Sequence, residues 1–171
     1  MDFNQTREEA LFLQMIRTFA EKEVKPLAAE IDEQERFPIE TVRKMGKIGL
    51  MGIPFPVEYG GAGATNQMYS MAVEELSKVC ATTGVVLSAH TSLCTAPIYE
   101  HGTEEQKKTY LPKLCSGEWI GAFGLTEPNA GTDAAAQQTF AEEEDDHYIL
   151  NGNKIFITNA EYAHVYVIFA M

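Results

Sequence analysis

The sequence predicts an α+β chain, an all-α helical bundle followed by an incomplete, antiparallel, barrel-like β domain. Three observations carry this. Up to about residue 117, apolar residues recur at the three- and four-residue spacing of amphipathic helices. Two capping boxes, Thr6-Arg7-Glu8-Glu9 and Thr103-Glu104-Glu105-Gln106, mark helix starts in that stretch. From Ile120 onward, apolar residues come in short runs divided by Asn, Gly and acidic clusters. The chain divides accordingly into 1–117 and 118–171, the second part incomplete.

Behind the first capping box, Phe12, Ile16, Phe19, Ala20, Val24, Leu27 and Ile31 form one stripe of a long helix, which Pro26 should kink. Phe37-Pro38 opens a second helix with Ile39, Val42, Met45 and Ile48 on its apolar face, ended by Gly49 and Gly52. Pro54 to Gly63 is a turn-rich loop. Its glycines neither match GxGxxG nor follow a strand, which argues against a Rossmann turn. Asn66 is the expected cap of a third helix carrying Met68, Met71, Ala72, Glu75, Leu76 and Val79. After Thr82-Thr83-Gly84, the segment Val85 to His101 is apolar on most faces and belongs at the centre of the bundle. A last helix carries Tyr110, Leu111 and Leu114, meets Pro112, which should end or bend it, and stops near Ser116-Gly117.

Ile120 to Leu125 reads as a strand entering the stretch Thr126-Glu127-Pro128-Asn129-Ala130-Gly131-Thr132-Asp133. Proline keeps Glu127 out of the helical region, and Gly131 lets the main chain approach a neighbour closely. Thr126 and Thr132 add hydroxyls that both donate and accept. Amides beside small residues, flanked by hydroxyls, suit a large anionic ligand with polar edges; an ordinary strand-to-loop connection fits the same residues. Further strands are expected at Gln137–Ala141 and Tyr148–Leu150, with Glu142 to Asp146 as a charged hairpin tip. Asn151-Gly152 reads as a type I′ turn into a return strand, Lys154–Thr158. Val165–Phe169 is a strand hydrophobic enough to need partners on both sides, so an end at Met171 reads as a truncated β domain.

Composition excludes several classes. A net charge of −12 argues against nucleic acid, whose phosphates demand clustered Lys and Arg. Three cysteines, Cys80, Cys94 and Cys115, are odd in number and widely spaced, which favours buried thiols in a reducing, cytoplasmic setting. The four histidines lack metal-site spacing, so no metal is expected. Met1-Asp2-Phe3-Asn4 lacks the basic start of a secretory signal, and no apolar run is long enough to span a bilayer.

The order of bundle, strand, Ala-Phe-Gly-Leu-Thr-Glu-Pro-Asn-Ala-Gly-Thr-Asp and a segment ending Lys-Ile-Phe-Ile-Thr-Asn resembles the acyl-CoA dehydrogenase family, most closely its short-chain, butyryl-CoA-type bacterial members. Glu58-Tyr59-Gly60-Gly61, Val73-Glu74-Glu75-Leu76 and Gly102-Thr103-Glu104-Glu105-Gln106-Lys107 belong to the same resemblance. It implies a flavoprotein holding FAD that oxidises an acyl-CoA thioester to the trans-2-enoyl-CoA. It also implies a C-terminal helical domain, absent from this chain, that carries the catalytic glutamate. We therefore assign no base here, neither Glu74, Glu75 nor Glu127. By the resemblance, Phe123, Leu125, Thr126, Gly131, Thr132, Phe156, Ile157 and Thr158 would bind the cofactor. Thr132 would also lie near bound CoA, and Leu87, His90, Leu93 and Cys94 would line the acyl chamber. A homotetramer that passes electrons to an electron-transferring flavoprotein is implied as well. An oxidase of the same family and a catalytically inert interaction domain are the alternative readings.

Overall fold

The computed structural model describes residues 5–171; the reading of Met1–Asn4 lies outside the described residues. Helix α1 (Arg7–Phe19) begins at the expected capping box. Thr6 Oγ1 accepts from the Glu9 amide at 3.1 Å, and Glu9 Oε2 accepts from the Thr6 amide at 2.8 Å. A π-helical turn, Ala20–Val24, joins α1 to α2 (Lys25–Glu33). Pro26 thus does not interrupt the helix. It sits in the first turn of α2, where a missing N–H costs little, behind a wider turn that absorbs the ring.

Helix α3 (Ile39–Lys47) starts at Pro38 and is followed by Gly49 at φ 77°, a conformation that glycine adopts freely. Helix α4 (Asn66–Val79) is capped by Thr65 rather than Asn66, because the Thr65 hydroxyl accepts from the Met68 amide at 3.1 Å. The extended backbone of Cys80 separates α4 from α5 (Ala81–Ser88). Thr82, Thr83 and Gly84 therefore lie inside a helix instead of before one. Gly84 is where α5 presses on α4, since a Cβ there would collide with Ser77. The helix continues as a π segment, Ala89–Thr95, and then α6 (Ala96–His101). Helix α7 (Glu104–Cys115) opens with the second capping box and runs through Pro112, which falls close enough to its end to cost a single internal bond.

The main core lies among α1, α3, α4 and α5, where Ile16, Val42, Met45, Leu76 and Leu87 are fully buried. Each such side chain contributes about 1.5–3 kcal/mol of transfer free energy. Glu75 on α4 is held across to α1 by Arg17, at 3.0 and 2.9 Å, and by Lys78 at 3.0 Å. The Arg17 guanidinium is the main reason that its carboxyl is pulled down to about 2. Glu75 is thus a structural anion.

The β half departs furthest from expectation. Strands β1 (Gly121–Gly124) and β4 (Val165–Ile168) pair in parallel, Gly121 opposite Val165. Strands β2 (Phe140–Glu144) and β3 (His147–Asn151) form a separate antiparallel pair. Among the described residues, neither two-stranded sheet closes into a barrel, and only β2–β3 is antiparallel. Glu142, Glu143 and Glu144 belong to β2, so the hairpin turn shrinks to Asp145-Asp146, with Asp145 at φ 46°. Asn151 is not a turn residue, because it ends β3 opposite Phe140. Nor is Lys154–Thr158 a strand. Phe156 takes φ 58°, which no strand allows, and the Ile155 amide donates to the Thr126 carbonyl at 2.9 Å. The segment is a strap laid across the exit of β1.

Candidate cofactor site

The strap and β1 enclose a cavity of about 190 Å³. Phe123, Leu125 and Thr126 line it from β1 and its exit, Phe156, Ile157 and Thr158 from the strap, and Ala89 and Leu93 from the π segment. Six of the eight expected cofactor residues thus meet at one place, together with Leu93. Gly131 and Thr132 do not reach it, being exposed on the outer part of the loop. Among the described residues, nothing lies within 4 Å of where a Gly131 Cβ would stand, so their packing does not demand glycine there.

Leu87, His90 and Cys94, expected to line an acyl chamber, do not line this cavity. Leu87 is in the main core. Cys94 lies against β1 closely enough that a Cβ on Gly121 would stand 2.6 Å from its Sγ. His90 is a brace. Its Nδ1 accepts from the Gly121 amide at 3.0 Å, so Nε2 holds the proton and donates to the Leu114 carbonyl at 3.1 Å. Burial pushes this imidazole down to about 4 and keeps it neutral.

Two residues with no role assigned from the sequence hold the strap in place. Asn159, at φ 70°, donates from Nδ2 to the Val86 carbonyl at 3.2 Å and the Gly121 carbonyl at 3.0 Å. Asparagine tolerates this left-handed backbone, which is the one local signal that the strap ends there. Lys154 Nζ donates to the Leu125 carbonyl at 2.9 Å, Glu127 Oε1 at 2.7 Å and Gln137 Oε1 at 3.1 Å. Glu127 also accepts the Gln138 amide at 2.6 Å and the Thr139 amide at 2.9 Å. These bonds, Lys154's first, hold the Glu127 carboxyl down at about 2. A carboxylate held that low is a weak base near neutrality, and its bonds to Lys154, Gln138 and Thr139 fold the loop.

Phe156 stands out. It is 88% exposed and holds a left-handed backbone, a costly state for a bulky residue. Ile157 and Thr158 also face a second hollow of about 640 Å³, lined further by residues of α2 and α5. Among the described residues, no group of three His, Cys, Asp or Glu is placed to hold a metal, and no helix is long and apolar enough to cross a membrane.

Comparison with known proteins places this arrangement. A short-chain specific acyl-CoA dehydrogenase of Clostridium acetobutylicum is 68% identical over all 171 residues, which cover 45% of that protein. The solved butyryl-CoA dehydrogenase of Megasphaera elsdenii superposes with a TM-score of 0.94 at 46% identity, over the whole of this chain and 46% of that one. A chain from the work on the electron transferring flavoprotein of Acidaminococcus fermentans and flavin-based electron bifurcation superposes at 0.96 with 53% identity, over all of this chain and 45% of that one. This chain therefore spans under half the length of these relatives. The family model for the acyl-CoA dehydrogenase N-terminal domain matches residues 6–118, and that for the middle domain matches residues 122–171. The chain belongs to the acyl-CoA dehydrogenase family.

Proposed function

We propose that this chain supplies one wall of the flavin site in an FAD-dependent acyl-CoA dehydrogenase acting on short acyl chains. The observation that carries it is Phe156, an aromatic ring left bare on a strained backbone beside the Thr126 and Thr158 hydroxyls. An aromatic face and two neutral hydroxyls fit a flat, polar-edged ring, and no lining residue is charged. Thr126 would bond the ring's pyrimidine edge, with Leu125 contributing main-chain contacts. Phe156 would pack on the ring, Thr158 would donate near N5, and Phe123 and Ile157 would complete the wall. Gly131 and Thr132 would meet the pyrophosphate and the bound CoA, and Leu93 the acyl chain. When bound, FAD supplies a two-electron acceptor for hydride leaving the β-carbon of the thioester. The base for the α-proton would come from a C-terminal helical domain outside these residues. On this reading residues 1–117 form the first domain, and 118–171 open a barrel-like middle domain completed elsewhere. The assembly would be a cytoplasmic homotetramer that passes electrons to an electron-transferring flavoprotein.

The test uses the whole-length protein. Purified enzyme should be yellow and should bleach on addition of butyryl-CoA under argon. Phe156→Ala and Thr158→Ala should each weaken FAD retention about tenfold or more, the loss of about 1.4 kcal/mol of binding. Colourless protein, or colour unchanged by any acyl-CoA, overturns the reading. Rapid recovery of colour in air, without an electron-transferring flavoprotein, would identify an oxidase.

A further inference from the structure

The cavity wall is uncharged throughout, yet one residue behind it sits a buried pair of opposite charges. Glu127 and Lys154 lie 2.7 Å apart with side chains 6% and 10% exposed. Lys154 is tied to the cavity through the Leu125 carbonyl, and a Cβ on Gly124 of β1 would stand 3.5 Å from its Cγ. We propose that this ion pair sets the reduction potential of the flavin in the adjoining cavity, by keeping two strong charges mutually cancelled there; the proposal rests on the flavin reading above.

The sign follows from charge balance. An oxidised ring that takes two electrons and one proton gains one negative charge. A lone cation nearby favours that gain, a lone anion opposes it, and a close pair does little of either. Each partner keeps hydrogen bonds that favour its charged form when the other is removed. Glu127 retains two backbone amides, which favour the carboxylate. Lys154 retains the Leu125 carbonyl and the Gln137 side chain. The pair itself is shielded from water, so the charge left when one partner is removed is felt at this range.

Redox titration of the whole-length holoenzyme against indicator dyes at pH 7 tests this. Lys154→Met should lower the reduced-to-oxidised flavin ratio at a fixed solution potential by about threefold or more, and Glu127→Gln should raise it by a similar factor. The double variant should return to within about twofold of wild type, since the charges cancel again. Lys154→Arg, which keeps the charge, should leave the potential near wild type. Single variants that move the potential in the same direction, or not at all, overturn the proposal, because a merely structural clamp gives no opposite signs. Should Lys154→Met fail to hold flavin, Glu127→Gln decides alone, and an unchanged or lowered potential refutes the idea. Wild-type protein that takes up no FAD overturns the functional reading itself, and this inference with it.

Discussion

At the scale of single residues, His90 shows how a buried imidazole can tie two elements together. Its type and its position on an apolar helix suggest a chamber lining, but both ring nitrogens are spent on backbone groups from β1 and α7. Replacing it with Gln keeps a donor toward Leu114 but leaves the buried Gly121 amide unpaired. Chemical denaturation should show a loss of about 1–3 kcal/mol. The pH dependence has a definite sign. A folded pKa below the unfolded one means that His90's contribution is complete above about pH 6.5 and is lost as pH falls toward about 4. In His90→Gln, the decline in stability over that interval should flatten. Glu75 and Glu127 act lower, between about pH 4.5 and about 2. Phe156 gives the opposite kind of test. Glycine at that position relieves the left-handed strain while giving up little burial. Phe156→Gly should therefore raise the stability of the flavin-free chain by about 1 kcal/mol and weaken flavin retention in the whole protein. Equilibrium unfolding and flavin release measure the two sides.

At the scale of elements, local signals were readable and distant ones were not. Both capping boxes form as expected because every partner lies within three residues. The hairpin at Asn151-Gly152 fails for the opposite reason. Its dipeptide favours a turn, but pairing with Phe140 and the tie from Ile155 to Thr126 are long-range and outweigh it. The six cavity residues were legible only through a resemblance of motif, as nothing in their spacing says that two segments meet. Lys154 and Asn159 stayed hidden because their partners lie up to 29 and 73 residues away. Asn159→Ala removes both side-chain bonds that seat the C-terminal end of the strap and leaves those of Lys154. Amide exchange at Ile155 and Ala160 should speed up about tenfold or more, as the strap opens without the bundle unfolding. Unchanged exchange there would show that Asn159 is dispensable.

At the scale of the whole molecule, stability is unevenly spread. The largest of the fully buried side chains, such as Ile16, Met45, Leu76 and Leu111, all lie in the helical half, whereas every residue of β3 is exposed. Hydrogen exchange should rank accordingly, with α4 and the π segment slowest and the β2–β3 hairpin fastest. A hairpin as protected as α4 would contradict this account. Despite the net charge of −12, no residue lining the cavity is charged, and the pair behind it cancels.

The strap also has two sides. Ile157 and Thr158 form part of the small cavity on one face and of the larger hollow beside α2 and α5 on the other. Two rooms therefore share a partition only a few residues thick. A ligand that displaced the strap from one face would shift the Thr158 hydroxyl presented to the other, and by linkage the influence would run equally in both directions. Filling the larger hollow is thus a way of adjusting the smaller one without entering it.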